Sequence, residues 1–250
     1  MNTGRKTSNI RPLASRDDRA LVAIIPAKDE AATVALVIAD VQITVGCDVI
    51  VVDDGSTDDT ANIARSAGAT VLSLPFSLGA WGAAQAGMRF ANAAGYEMAV
   101  TLDADGQHHA ESILTLVARM RKADVDVVIG ACPQRLSAAK HLAWTYFRWL
   151  TQLEIQDFTS GLRLYNRHAL AALATRHASL LDYQDIGVLI LLRRRGLRVQ
   201  EATVCMSERK AGHSRVFSSW FAVGRYMMHT TLLCLARIGR GEPRRSEARA

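Results

Sequence analysis

Residues 101–109, TLDADGQHH, hold the side chains best suited to chemistry in this chain. Two carboxylates, Asp103 and Asp105, stand two residues apart, and the side-chain amide of Gln107 follows them. The apolar run before them is typical of a buried strand, so these oxygens emerge where that strand ends. Such oxygens suit a hard divalent cation, Mg²⁺ or Mn²⁺, which keeps waters and shares a substrate's phosphates. An isolated Asp-x-Asp pair is more often a solvated turn, and the rest of the chain decides between these two interpretations.

Short apolar runs alternate along the chain with segments of helical periodicity, and this pattern predicts how the acids are positioned. The predicted strands span residues 21–26, 48–52, 70–74, 97–102 and 126–129. The predicted helices span residues 31–41, 58 or 59 to 67, 79–94 and 112–122. This alternation implies βαβ units and an α/β fold with a mostly parallel sheet flanked by helices.

Acidic clusters follow three of the five predicted strands, at residues 28–30, 53–54 and 103–105. Ligands bind parallel sheets at the carboxyl ends of the strands, so we expect the three clusters to meet at one edge. Crowded carboxylates repel each other unless a cation joins them, and a metal-bridged diphosphate would resolve the conflict. Neither GxGxxG after the first strand nor GxxxxGK[ST] is present, which argues against dinucleotide and P-loop sites.

Composition and charge narrow the class of protein. The 250 residues are 49% apolar, enough for one large α/β domain or two small ones. Four widely spaced cysteines and the lack of an apolar signal segment in the first 19 residues predict a cytoplasmic, reducing location.

The charge is unevenly distributed along the chain. Residues 1–19 and 237–250 each hold five basic and two acidic side chains, while the net charge of the residues between them is zero. This distribution does not indicate a nucleic-acid-binding surface, and basic tails suit anionic lipid at about 1 kcal/mol per residue. Disordered, solubilising ends are the alternative, and we expect residues 1–19 to be disordered.

Residues 217–238 have a wide apolar face and a narrow polar stripe, followed by a basic tail at 239–250. Arg225 and His229 interrupt the apolar run, so it makes a poor membrane-spanning helix. The pattern predicts an amphipathic helix lying on a membrane surface, or one packed on the domain or on another subunit. A helix at 142–153, with Trp144, Phe147 and Trp149, could join it, although aromatic residues at helical spacing are more often core.

Five motifs, IIPAKDEAATV, VVDDGSTDDT, LDADGQH, DFTSGLRLY and ERKAGHSR, together resemble family two of the inverting GT-A glycosyltransferases. Within that family they are most similar to the dolichyl-phosphate mannose synthase group. The resemblance covers residues 21–235 and implies a GT-A domain at residues 20–216. It also implies metal-dependent, inverting transfer of a sugar from a nucleotide-sugar to an acceptor. In the most similar group this acceptor is a polyprenyl phosphate at the cytoplasmic membrane face.

The resemblance also implies roles for individual residues of this sequence. The implied nucleotide-binding residues are Pro26, Ala27, Glu30, Asp53, Asp54 and Asp103. The implied ligands of Mg²⁺ or Mn²⁺ are Asp103, Asp105 and Gln107. The implied acceptor-phosphate residues are Arg135, Ser160, Arg163 and Ser214. The implied catalytic residues are Asp105, Asp157, Asp185 and Arg209.

The sequence departs from the family pattern at residues 77–81, 109–110 and 183–185, which leaves the sugar and the acceptor open. A phosphate acceptor is already anionic and needs little base, whereas a hydroxyl acceptor requires a carboxylate base, either Asp157 or Asp185. A sugar-nucleotide pyrophosphorylase would carry a Gly-rich loop where AKDE stands after the first strand. An inactive nucleotide-sugar-binding protein is the other alternative, and we expect such a protein to have lost some of the motif residues that are present here.

Overall fold

The computed structural model describes residues 19–132, 138–151, 153–181, 186–207, 227–228 and 231–232. In that part of the chain the strands are β1 (Leu21–Ala27), β2 (Asp48–Asp53), β3 (Thr70–Ser73), β4 (Met98–Thr101), β5 (Val127–Ala131), β6 (Arg163–Asn166) and β7 (Val199–Thr203). The helices are α1 (Val34–Thr44), α2 (Thr60–Ser66), α3 (Gly79–Ala94), α4 (Glu111–Ala123), α5 (Ala138–Thr151), α6 (Arg167–Leu173) and α7 (Ile186–Arg194). A 3-10 helix spans Arg176–Leu180.

The strands form one sheet in the order β3-β2-β1-β4-β6-β5-β7. Strand β1 lies between β2 and β4 and runs parallel to both, with Ala27 opposite Asp53 and Ile24 opposite Thr101. The three strands that lead into acidic clusters are therefore neighbours, and their carboxyl ends lie at one edge of the sheet. Strand β6 is antiparallel to β4 and β5, so it begins at the edge where those strands end.

Both faces of the sheet are covered by helices, which is why the central strands are apolar throughout. Alternate residues of β1 enter opposite cores, with Val22 and Ile24 on one face and Ala23 and Ile25 on the other. The first face packs against α3, α5, α6 and α7. The second packs against α1, α2 and α4.

The predicted strands and helices agree with the structure to within about three residues at their ends. Helix α3 matches the prediction at both ends. It stops at Ala94 because the next residue, Gly95, adopts a left-handed conformation (φ 87°). Helix α1 begins later than predicted, at Val34, because the preceding backbone bonds to the loop after β2. The short strands β6 and β7 were not predicted.

The two terminal predictions fall mostly outside the described residues. Residues 1–18 and most of residues 217–250 are outside the described part of the chain. Of the predicted C-terminal helix only residues 227–228 and 231–232 are described, and these are helical. In the described part of the chain, no helix combines the length and apolarity that crossing a bilayer requires. Helix α5 spans Ala138–Thr151 rather than 142–153, and its Trp144 and Phe147 are core residues.

Gly87 allows α3 to lie close to the sheet, and its replacement provides a test of this packing. A Cβ at this position would lie 2.5 Å from Cγ2 of Ile24 and 3.1 Å from Cγ2 of Val52. We expect Gly87→Ala to lower the free energy of unfolding by about 1–3 kcal/mol through overpacking, despite alanine's better helix propensity. Urea denaturation measures this loss. Ala93→Ser, on the exposed side of the same helix, should change it by less than about 0.5 kcal/mol, and equal effects would contradict the packing.

Candidate active site

The loops after β1 and β2 are bonded to each other at the carboxyl edge of the sheet. Asp29 has a left-handed backbone conformation (φ 54°), and its Oδ1 accepts bonds from the N–H of Thr57 at 2.7 Å and from Oγ1 of Thr57 at 3.1 Å. The N–H of Asp29 donates to Oγ of Ser56 at 3.0 Å. The backbone bond from Thr57 holds the pKa of Asp29 below its usual value. Asp29 therefore ties the AKDE segment to the DGST turn.

A second set of bonds lies one turn further along the same two loops. The N–H of Glu30 donates to Oγ1 of Thr60 at 2.8 Å, and the N–H of Ala31 donates to Oδ2 of Asp58 at 3.1 Å. Oδ1 of Asp58 accepts bonds from the hydroxyl and from the N–H of Thr60. These bonds and those of Asp29 make the two loops one unit. Sequence reasoning placed Asp29 among the acids of this edge but did not predict that Asp29 and Asp58 join the two loops. Asp58 bonds the backbone two residues further on, as aspartate commonly does in turns.

Asp53 ends β2 and Asp54 follows it, and both are buried. Oδ1 of Asp53 accepts the N–H of Ser56 at 3.0 Å, which closes the DGST turn. The carboxylate of Asp54 accepts three bonds, from Oγ of Ser77 at 2.6 Å and from the N–H groups of Leu78 at 2.6 Å and Gly79 at 3.0 Å. Asp54 thus anchors the loop that begins α3. Its predicted contact with a nucleotide stays a prediction.

The loop after β4 presents the carboxylate of Asp103 to solvent, with 56% of the side chain exposed. Gln107 and His108, in the same loop, are buried. Oδ1 of Asp105 accepts the N–H of Gln107 at 3.1 Å, which closes the DADGQ turn. The loop therefore has one outward carboxylate and a second one that shapes its turn.

The segment after β7 pairs with the same loop. His108 and Met206 form an antiparallel bridge, and the N–H of Ser207 donates to the carbonyl of Gln107 at 2.9 Å. Oγ of Ser207 lies 2.8 Å from Nε2 of His109. The chain that leads into residues 208–215 is thus attached to the predicted metal loop.

The residues of this loop fit a divalent cation, although they do not form a closed protein cage. Within the described residues, no three His, Cys, Asp or Glu side chains are grouped to hold a metal ion. A cation that also binds substrate phosphates and water requires only one or two carboxylates from the protein. The Asp-x-Asp pair supplies these, and Asp103 is open to solvent. The metal ligands Asp103, Asp105 and Gln107 remain a prediction.

Residues 157–163 enter the same edge at the start of β6. Oδ1 of Asp157 accepts the N–H and the hydroxyl of Thr159, both at 3.0 Å. The backbone N–H of Asp157 donates to Oε1 of Glu201 at 2.8 Å. Glu201 also accepts the N–H of Gln156, and burial raises its pKa. Glu201, on β7, was missed because nothing in its local sequence relates it to a loop 44 residues away.

Ser160 and Arg163 point into the protein. Oγ of Ser160 donates to the carbonyl of Gly130 at 2.6 Å. Arg163 has 0% exposure, and its Nε and Nη2 donate to the carbonyls of Ser160 at 2.9 Å and Phe158 at 2.7 Å. Both side chains hold the backbone of the DFTSGLR segment in this structure. Their predicted contact with an acceptor phosphate stays a prediction, as do the roles of residues outside the described part, Arg135, Asp185, Arg209 and Ser214.

Residues 22–180 match the family described as Glycosyl transferase family 2. The chain belongs to this family. It is therefore a glycosyltransferase, as the motifs predicted.

Two relatives and one solved structure extend the comparison. The chain is 29% identical over 235 residues to the undecaprenyl-phosphate mannosyltransferase of Micrococcus luteus, covering 86% of this chain and 94% of that protein. It is 28% identical over 229 residues to the polyprenol monophosphomannose synthase of Mycolicibacterium smegmatis, covering 83% and 85%. The crystal structure of glucosyl-3-phosphoglycerate synthase from Mycobacterium tuberculosis, with Mn²⁺, uridine diphosphate and phosphoglyceric acid, has a TM-score of 0.67 at 21% identity, covering 91% of this chain and 81% of that chain. The predicted GT-A fold is confirmed.

The raised pKa of Glu201 predicts how its replacement changes the pH dependence of stability. A carboxyl whose pKa is higher in the folded state binds more protons there, so its contribution to stability falls as the pH rises above its unfolded value of about 4.5. We expect the stability of the wild type relative to Glu201→Gln to fall between pH 4 and pH 7. Urea denaturation at both values measures this difference. The same comparison with Glu154→Gln, at an exposed position, should be flat, and a flat result for Glu201 would contradict the prediction.

Proposed function

We propose that this glycosyltransferase moves a sugar from a nucleotide-sugar to a polyprenyl phosphate, with inversion at the anomeric carbon and with a divalent cation. The observation that carries the proposal is that three neighbouring strands lead into acidic clusters at the same edge of the sheet, in a chain of glycosyltransferase family 2. The similarity of most of its length to two polyprenyl-phosphate mannosyl-transferring enzymes supports the choice of acceptor. The names of these relatives make mannose the first sugar to test.

The donor nucleoside would lie across the joined loops after β1 and β2. Pro26, Ala27 and Glu30 would line one side of it, and Asp53 would accept a hydrogen bond from the base or ribose. Asp54 would act through the loop that it anchors at residues 77–79. Bonding between the two loops before the ligand arrives lowers the entropy lost on binding.

The diphosphate would lie over the loop after β4, with Asp103, Asp105 and Gln107 as the ligands of Mg²⁺ or Mn²⁺. When bound, such an ion neutralises the phosphate oxygens and the charge that develops on the leaving diphosphate. The outward carboxylate of Asp103 is suited to bind it, because it lies at the solvent face of the loop. The structural neighbour's complex with Mn²⁺ and uridine diphosphate supports a divalent ion in this fold.

The acceptor phosphate would attack the anomeric carbon directly, and this single displacement inverts its configuration. Arg135 and Arg209 are the proposed phosphate-binding arginines, together with Ser214, while Ser160 and Arg163 would act through the backbone that they hold. A phosphate oxygen is already anionic, so this acceptor would need no base from Asp157 or Asp185, and the two arginines would position it. A hydroxyl acceptor would require one of them as a base, and the transfer assay below separates these two cases.

Removal of Asp105 tests the reaction and its metal dependence together. We expect Asp105→Ala to lower transfer by about a hundredfold or more, because a metal ligand that stabilises the leaving group is lost. The assay incubates the full chain with labelled nucleotide-sugars, polyprenyl phosphate and Mn²⁺ or Mg²⁺, then extracts the lipid. Glu97→Gln, an exposed substitution far from the edge, should leave transfer unchanged. Full activity in a chelator would refute the metal claim, and label only on soluble hydroxyl acceptors would refute the lipid claim.

An exposed apolar surface supports a location at the membrane. We name it the aromatic face: Tyr146 and Trp149 of α5, with Met228 and Leu232 of the C-terminal segment, all exposed. The hydroxyls of Tyr146 and Thr231 lie 3.3 Å apart and join the two segments. Aromatic side chains suit the interface of a bilayer, and the basic residues of 237–250 follow in the chain. We propose that this face lies on an anionic membrane.

Vesicle partitioning tests the aromatic face. Trp149 has 71% exposure, so its removal should cost little stability but weaken binding to phosphatidylglycerol vesicles by roughly tenfold. Sedimentation of Trp149→Ala with such vesicles measures the change. Ile43→Ala, at an exposed apolar site on α1, packed on the opposite face of the sheet, serves as the matched control and should bind like wild type. Equal binding by all three proteins would exclude the aromatic face from the interface.

A further inference from the structure

Gly161 shapes the space that the Asp103 carboxylate occupies. A Cβ at position 161 would lie 2.6 Å from Oδ1 and 2.7 Å from Oδ2 of Asp103, closer than real Cβ atoms approach. The backbone of Gly161 does not need a glycine conformation, since its φ is not in the left-handed region. Space for the carboxylate is therefore what requires glycine at this position.

The wall that Gly161 forms is held by three strands. Oγ1 of Thr101, at the end of β4, donates to the carbonyl of Gly161 at 2.8 Å. The carbonyl of the preceding Ser160 accepts a bond from buried Arg163 of β6, and its hydroxyl donates to Gly130 of β5. The backbone against which the carboxylate lies thus has little freedom to withdraw. A side chain added at Gly161 would move the carboxylate rather than the wall.

His108 lies beside the same carboxylate. Its Nε2 is 3.7 Å from Oδ2 of Asp103, and its side chain is 1% exposed. In the part of the chain that the structure describes, neither ring nitrogen has a hydrogen-bond partner. Buried polar groups are normally paired, and leaving one unpaired costs about 1–3 kcal/mol. A small approach of the two groups would give the ring nitrogen its partner, and the bridge to Met206 fixes the backbone from which the ring reaches.

We propose that Gly161 and His108 are positioning residues for the Asp103 carboxylate. Gly161 leaves the space in which the carboxylate lies, and a ring N–H of His108 directs the oxygen beside it. The proposal rests on the proposed function, in which Asp103 binds the divalent cation. Carboxylates that bind metals are commonly oriented by such hydrogen bonds, and loss of one typically weakens metal binding tenfold to a hundredfold. Neither residue is expected to touch the substrate.

Gly161→Ala tests the space requirement. We expect this variant to raise the Kd for Mn²⁺ by about tenfold. Its melting temperature without metal should stay close to that of wild type, because the exposed end of Asp103 can swing into solvent. Titration of the full chain with Mn²⁺ alone, with free ion followed by electron paramagnetic resonance, measures the Kd. Glu154→Ala, at an exposed site in the preceding loop, should bind Mn²⁺ like wild type.

A pair of variants tests His108. His108→Phe keeps a ring but removes the donor, and we expect it to raise the Kd for Mn²⁺ by about tenfold. His108→Gln restores an N–H donor and should bind within about threefold of wild type. Spin-echo spectroscopy of bound Mn²⁺ should show no directly coupled imidazole nitrogen. A nitrogen coupling that His108→Gln abolishes would overturn the positioning role and make His108 a ligand.

The outcomes separate this proposal from the one on which it rests. If wild type binds Mn²⁺ and both Gly161→Ala and His108→Phe bind it equally well, the positioning roles are wrong and the metal-dependent function stands. If wild type binds Mn²⁺ neither alone nor with an added nucleoside diphosphate, the metal dependence is contradicted and the positioning roles fall with it. A large drop in melting temperature that accompanies every loss of Mn²⁺ affinity would also overturn the proposal, because it would indicate a general structural defect.

Discussion

Repulsion among carboxylates at one edge of the sheet is the constraint on which the rest of this structure depends. The strand order places three acidic clusters side by side, and unit charges brought to within about 4 Å of each other would repel by about 4 kcal/mol near a protein surface. The fold offsets this cost with backbone N–H donors: Asp29, Asp53 and Asp54 each accept at least one. These bonds also build the loops, so most of the acids are structural parts of the site. Asp103 differs, since its carboxylate is exposed between Gly161 and His108.

The fold was largely readable from the sequence because its central strands are buried on both faces. Runs such as DVIVV and LVAIIP have no other plausible place than the middle of a covered sheet. Strands β6 and β7 were missed for the opposite reason. Their sequences, RLYN and VQEAT, are short and mixed in polarity, and they become strands only through pairing with distant β4 and β5. Local pattern cannot report a pairing between residues so far apart in the chain.

The site divides in the same way. The strand-end acids could be located from sequence, since the carboxyl ends of neighbouring parallel strands must meet. Which of them are engaged in internal hydrogen bonds could not be fully predicted, because several of the donors come from other loops. Asp54 is bonded to residues 77–79, and Ser160 to Gly130, 30 residues away. The role of Glu201 could not be predicted for the same reason, although its carboxylate bonds to the backbone of the loop that contains Asp157. Residue type therefore indicated the chemistry of the site, while tertiary contacts decided which acids have structural roles and which face solvent.

The bridge between His108 and Met206 has a consequence for how the protein folds. It joins segments that lie about a hundred residues apart, as the 98-residue separation of His109 and Ser207 shows. Closing so long a loop is entropically costly and contributes to slow folding. During synthesis the loop after β4 leaves the ribosome well before β7 does. A nascent chain that ends before β7 therefore holds all the acidic motifs but lacks Met206 and Ser207, which bond to the loop after β4.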